Sequence, residues 1–427
     1  MCADWIDRNE KKFKINDLLV EATNKLNVNS EGNLELGFQV FPDVAILAKA
    51  VKTGSRVHRA SHLGLVRRAL FALVEAGTEP TRDNFLNELN SQEAQYFREP
   101  KSKFRLLGTI SFPGKDELSN LSRRKVADST ICFHCSKPSY FRYSRRYEDS
   151  FLSGKKADPE EHVFFTVTTQ ARRAHEAFED GIHAIELLRG IWNHFFNEIK
   201  PESANRNDFL PLNSIRYGHS FTMHEDDGTQ VAGMSWRNPN YVEQRFVDKS
   251  KLRLTGAIPA RWDDFLRYET ERRRELARTK LQEHFEVAFR RYASALDSAR
   301  PSTVLLHLWS LLEHLCLPPG SRGNHSNIVK NVLFYYQDPS GLVSSQLNSI
   351  LDYRNELVHE GNFDFQNSGA LIILHRIVQD VLRSSLFHSR EFNSINDLIQ
   401  WTQLPRNPEA LRRAIALREH AIRFREG

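Results

Sequence analysis

The sequence predicts an α+β protein, with a mixed helical and β region over residues 1–261 and helices from 262 onward. Three observations predict it. Apolar residues recur at helical spacing through residues 1–100. Short β-branched and aromatic runs replace that period after 101. The helical period returns at 262 and is interrupted at short turns rich in Pro and Gly. The chain therefore divides into a mainly helical region 1–100, an α+β region 101–261 able to share one domain with it, a helical bundle 262–390 and a basic helical tail 391–427.

In the first region, Ile15 to Leu26 and His62 to Ala76 read as helices. The second places Leu63, Leu65, Val66, Leu70, Leu73 and Val74 on a broad apolar side. Gly77-Thr78-Glu79-Pro80-Thr81 ends it, and Thr81 or Asp83 is placed to cap a helix through Leu89. In the middle region, Phe104 to Phe112 reads as a strand stopped by Pro113-Gly114. Thr130 to Phe133 and Val163 to Thr168 are further strands. A helix from about Gln170 to Ile199 follows. Ile215 to Met223 and Gln230 to Trp236 then flank Asp227-Gly228, a hairpin signal.

Trp262 to Asp297 reads as one long charged helix, with Leu281, Phe285, Phe289, Tyr292 and Leu296 along one side of its second half. Val304 to Leu317 follows the break at Arg300-Pro301-Ser302 and stops at Pro318-Pro319-Gly320. Helices over Asn324–Tyr336, Leu342–His359 and Ser368–His388 complete an up-and-down bundle. In the tail, Arg412, Arg413, Arg418, Arg423 and Arg425 interleave with Leu411, Ile415, Leu417 and Ile422. The helix either lines an RNA path or covers the bundle, and its apolar stripe favours packing.

The bulk numbers exclude several classes. With 427 residues, 40% of them hydrophobic, the chain can fill more than one core. No apolar run approaches the length that crosses a bilayer, and the first residues are mixed and charged, so a cytoplasmic location is expected, with no membrane contact. Cys2, Cys132, Cys135 and Cys316 form no disulfide framework. A net charge of +5 suits a polyanionic partner without specifying one.

The most informative stretch is Tyr353-Arg354-Asn355-Glu356-Leu357-Val358-His359-Glu360-Gly361. Arg, four residues, then His occurs three times, at Arg189…His194, Arg354…His359 and Arg383…His388, so spacing alone selects nothing. The second pair alone has Asn after Arg, Val before His and Gly two residues beyond. Five residues of helix turn through roughly 500°, so Arg354 and His359 point about 140° apart. They meet either through a loosened terminal turn ahead of Gly361 or across a two-fold dimer that pairs two such helix ends. The residue types suit cleavage of RNA without a metal or other cofactor. A neutral histidine takes the proton from a 2′-OH and a histidinium gives one to the leaving 5′-oxygen. The Arg354 fork holds the non-bridging oxygens, and Asn355 orients phosphate or imidazole. The products are then a 2′,3′-cyclic phosphate and a 5′-OH, and DNA is inert. The plainer reading pairs Arg354 with Glu356 or Glu360 and makes His359 an ordinary last-turn histidine. Glu313 is an acid in a helix of leucines. It either reaches the groove to support Arg354 or His359, or stands half-exposed beside His314.

The last third resembles a HEPN domain, of the ApeA-like and abortive-infection group. Three blocks carry the resemblance in order: Phe289-Arg290-Arg291-Tyr292-Ala293-Ser294-Ala295-Leu296, His307-Leu308-Trp309-Ser310-Leu311-Leu312-Glu313-His314-Leu315, and Tyr353 to Gly361. The family's Arg-polar-x-x-x-His motif falls on Arg354, Asn355 and His359, and a recurrent acid on Glu313. The resemblance implies a metal-independent endoribonuclease with those catalytic residues, working as a homodimer through the bundle. Its substrate would be tRNA or other cellular or phage RNA, in anti-phage defence or as a toxin. Some members of the family do not cut, which leaves a nucleotide- or RNA-binding module or a structural interaction protein as alternatives. Residues 1–261 would then receive a phage-derived or nucleotide trigger.

Other constellations read more plainly. Cys132-Phe133-His134-Cys135 has the spacing of half a zinc site and lacks a second cysteine pair, so a buried thiol pair is the expectation. Tyr140 to Tyr147 mixes cations and aromatics, which suits base stacking and equally an exposed strand. Lys11-Lys12-Phe13-Lys14, Arg123-Arg124-Lys125 and Arg272-Arg273-Arg274 read as solvated surface.

Overall fold

The structure is a computed structural model that describes residues 3–6, 14–28, 34–35, 41–54, 56–112, 123–141, 162–198, 212–240, 262–320, 325–336, 338, 340–360, 368–405 and 407–426. The architecture is α+β.

Four helices, α1 (Ile15–Asn24), α2 (Phe41–Ala50), α3 (Arg59–Glu75) and α4 (Arg82–Arg98), open the chain. Two short pairings accompany them. β1 (Asp4–Trp5) lies against β4 (Val51–Lys52), and β2 (Asn27–Val28) against β3 (Leu34–Glu35). Leu19, Leu47, Leu65, Leu70, Phe85 and Leu89 meet in a core separate from that of the rest of the chain. Thr81 caps α4 through its hydroxyl, which accepts the Asn84 N–H at 3.3 Å. That helix continues two turns past Leu89, because Phe85, Leu89 and Tyr96 stay on one buried face.

The middle region forms a six-stranded antiparallel sheet of β5 (Ser102–Ser111), β6 (Arg124–Val126), β7 (Ser129–His134), β8 (His162–Ala171), β9 (Ser220–Glu225) and β10 (Gln230–Arg237). Its order is β10-β9-β5-β8-β7-β6, with β5 and β8 in register from Ser102 opposite Ala171 to Ser111 opposite His162. The Asp-Gly hairpin joins β9 to β10. Gly228 has φ +87°, and a Cβ there would strike the Tyr140 carbonyl, so only glycine fits.

Helix α5 (Ala174–Glu198) joins the sheet to the helices beyond it. Gly181 faces Leu106 and Val167 of the sheet, and a Cβ at Gly190 would collide with the Phe289 backbone. Apolar groups on both sides bury its second half almost completely, as expected for a helix between two layers. His58 meets Asp180 at 3.0 Å and Arg173 meets Glu99 at 2.8 Å, fastening α3 and α4 to this region.

The remaining helices are α6 (Trp262–Arg278), α7 (Gln282–Leu296), α8 (Pro301–Cys316), α9 (His325–Phe334), α10 (Leu342–Glu360), α11 (Ser368–His388), α12 (Ile395–Thr402) and α13 (Pro408–Glu426). Leu305, Leu308, Leu312, Leu374, Val378 and Leu382 pack α8 against α11, in one core with the sheet and α5. Among the described residues, no helix is long and apolar enough to cross a membrane.

Three expectations are corrected. The 262–297 segment is two helices, because Thr279 Oγ1 accepts the Leu281 N–H at 3.1 Å and diverts it from the helical ladder. The tail helix α13 buries none of its residues: Leu417 is 65% and Phe424 82% exposed, so its stripe does not pack on the rest of the chain. Cys132 is half-buried and Cys135 exposed, since β7 turns one side to the core and ends in an open turn, so they form no buried thiol pair.

Candidate functional site

The C-terminal end of α8, the turn after it, the start of α9 and the middle of α10 enclose an open cleft of about 380 Å³. Glu313 and His314 reach it from α8, His325 from α9, Arg354 from α10 and His284 from the start of α7. Leu317, Pro318, Pro319 and Gly320 form its rim. The two prolines fix the backbone there, and Gly320, at φ +77°, reverses it where a side chain would be strained.

Arg354 is half-buried and donates from Nη1 to Asn355 Oδ1 at 3.2 Å. No carboxylate among the described residues pairs with its guanidinium, which leaves the fork turned to the cleft. Glu313 is also half-buried. The ion pair in its reach is with His325, Nδ1 to Oε1 at 3.9 Å, and not with Arg354 or His359. His359 is exposed near the end of α10 and does not line the cleft. The structure thus brings Arg354 and Glu313 to one place, leaves Asn355 beside Arg354, and sets His359 outside, as five residues of unbroken helix require.

The remaining histidines form a wall. The rings of His284 and His314 stack at 4.0 Å between centroids, and His314 Nε2 donates to the His284 carbonyl at 3.1 Å. Burial pushes both imidazoles down, His284 to about 3, with the neighbouring His314 and Arg291 adding to the effect, so both are neutral near pH 7. Neutral stacked rings offer a flat surface to a base or ribose rather than charge.

The other two Arg…His pairs differ. Arg189 is 1% exposed and bound to Asp297 at 2.7 Å, with Tyr217 under its guanidinium at 4.1 Å. His194 is fully buried between the Tyr268 hydroxyl at 2.6 Å and the Gln379 carbonyl at 3.2 Å. Arg383 pairs with Asp380 at 2.7 Å, while the His388 ring rests on Trp401.

Compared with protein-family models, curated proteins and solved structures, the chain matches none.

Three arginines of the basic runs pair with acids. Arg124 meets Glu269 at 2.9 Å, Arg272 meets Glu275 at 2.8 Å and Arg273 meets Glu269 at 3.4 Å. Tyr140 lies under Arg105 at 5.1 Å, whereas 142–147 and 11–13 lie outside the described residues. No cluster of three or more His, Cys, Asp or Glu suited to a metal ion occurs among the described residues, Cys132 and Cys135 included. Sequence reasoning missed His284 and His325. His284 had a local signal only in its spacing from the apolar face of α7, and His325 had none, because it meets Glu313 through the tertiary fold.

Proposed function

We propose that this chain is a metal-independent endoribonuclease of the HEPN kind, with the Arg354 cleft as its phosphate site. The observation that carries the reading is an arginine on α10 left without a carboxylate partner among the described residues and opening, with Glu313, onto a cleft of about 380 Å³. A guanidinium fork of this kind binds two non-bridging phosphate oxygens and stabilises the charge that grows on them. Asn355 holds that fork from the side. The reaction is attack by the ribose 2′-OH on its own phosphate, giving a 2′,3′-cyclic phosphate and a 5′-OH. The substrate is tRNA or other cellular or phage RNA, the setting the cytoplasm, and the role anti-phage defence or toxicity. Residues 1–261 receive the trigger, phage-derived or a nucleotide.

His359 enters this reading through a homodimer. Val358 and His359 are exposed at the end of α10, so a two-fold axis there would set two arginines and two histidines around one groove. The position of His359 outside the cleft also favours a second reading, a module that holds RNA or a nucleotide without cutting it.

Incubation of the full chain with total RNA in EDTA separates the two. The nuclease reading expects fragments ending in 2′,3′-cyclic phosphate and no attack on DNA. Retention of RNA on the protein without fragments supports the binding module.

A further inference from the structure

We infer that His325, oriented by Glu313, is the general base of the Arg354 cleft. This deepens the nuclease reading and rests on it.

The geometry begins at α8 and α9. His325 is the first residue of α9, and its side chain is 30% exposed, with that of Glu313 at 32%, so water and substrate reach both. His325 Nδ1 is buried and has no hydrogen-bond partner among the described residues, and it faces Glu313 Oε1 at 3.9 Å. The Trp309 ring lies 6.0 Å from the imidazole, one turn before Glu313 on α8, and walls one side of it. With Nδ1 buried toward a carboxylate, the nitrogen left to meet a substrate is Nε2. A proton on Nδ1 is the tautomer that Glu313 favours, and it puts the Nε2 lone pair into the cleft. Acid–imidazole pairs of this type are often long without substrate and shorten in the bound complex.

The other histidines are unsuited to the task. The His314 Nε2–H is held by a carbonyl, and His284 is stacked on it and held neutral by burial, with no ion-pairing carboxylate among the described residues. His359 does not line the cleft. His325 alone, of the histidines that line it, has an ion-pairing acid among the described residues.

Neutral His325 takes the 2′-OH proton at Nε2, the 2′-oxygen bonds to phosphorus, and the bond from phosphorus to the 5′-oxygen breaks. Arg354 holds the non-bridging oxygens and Glu313 steadies the imidazolium as it forms. The 5′-oxygen takes a proton from a solvent water. The hydroxide left behind accepts the proton from His325, which returns to neutral. Nothing is oxidised or reduced.

The test is single-turnover cleavage of RNA in EDTA by the full chain and by His325→Ala, Glu313→Gln and His359→Ala. Each is run across pH 5–9, beside affinity for a non-cleavable 2′-O-methyl RNA. His325→Ala is expected to slow cleavage about 100- to 10,000-fold with affinity unchanged, and to abolish the rise in rate with pH on the acid side. Glu313→Gln is expected to slow cleavage by a smaller factor than His325→Ala, with affinity for the 2′-O-methyl RNA unchanged. A His325→Ala protein that cuts at the wild-type rate with the same acid limb overturns the assignment. If His325→Ala cuts as wild type does while His359→Ala is dead, the nuclease reading stands and only the base is wrong. A wild-type chain that leaves RNA intact overturns both.

Discussion

Arg189…His194 and Arg354…His359 share one spacing on two helices of the same chain and meet opposite fates. The first pair lies where α5 is covered on both sides. There the guanidinium must be neutralised, by Asp297, and the imidazole must stay uncharged, between a tyrosine and a carbonyl. The second pair lies on α10, whose outer side is open, so Arg354 has no carboxylate partner among the described residues, its fork held by Asn355, and His359 stays in solvent. The lesson is that a motif gains chemistry from the layer in which its helix sits. Arg189 is a clamp within the core, and Arg354 is a group available to a ligand.

The largest test of this contrast is Arg189→Met. It leaves Asp297 as a buried charge without its arginine and is expected to cost about 3–5 kcal/mol in urea unfolding. A loss near zero would put Arg189 in the same class as Arg354. The converse is Arg354→Ala. It should cut RNA cleavage about 100- to 1,000-fold while leaving stability within about 0.5 kcal/mol, measured by gel assay and thermal melting of one sample.

Acid sharpens the contrast further. Burial pushes His194 from 6.5 down to about 3, so it stays neutral in the folded chain well below the pH at which it protonates when unfolded. Its folded value lies below its unfolded one. The contribution is therefore full above pH 6.5 and is lost as pH falls toward 3, at about 1.4 kcal/mol per pH unit inside that window. Urea midpoints at pH 7, 6 and 5 should fall, and His194→Gln should flatten the fall. The smallest effect is expected at the third copy of the spacing. Arg383→Ala breaks a partly exposed pair with Asp380 and should change stability by no more than about 0.5 kcal/mol in the same unfolding assay.

Local signals made much of the fold legible. The Asp227-Gly228 turn, the Thr81 cap and the β-branched and aromatic runs that became β5, β7 and β8 each state their structure within a few neighbours. The residues around Arg354 also set it apart from Arg189 and Arg383 in the sequence, since Asn355 follows it where Gly190 and Ser384 follow the others, and Gly361 stands two residues beyond its histidine. Long-range information was not legible. The break between α6 and α7 has only a weak local signal, a change of apolar phase between Leu276 and Leu281 that the charged run 269–275 obscures, and it falls where the Thr279 hydroxyl takes the Leu281 N–H. The stripe on α13 has the pattern of a packed helix, and only the three-dimensional arrangement leaves it uncovered. The approach of His325 to Glu313 joins two helices across the turn after α8, and nothing in either segment names the other.

The central claim is that the open cleft holding Arg354 cuts RNA. The most direct measurement compares wild type with Arg354→Ala, at equal melting temperature, for release of 2′,3′-cyclic phosphate ends from total RNA in EDTA. The account predicts abundant cyclic ends from the wild type and a loss of at least about 100-fold in the variant. Equal release from both proteins, or none from either, would contradict it.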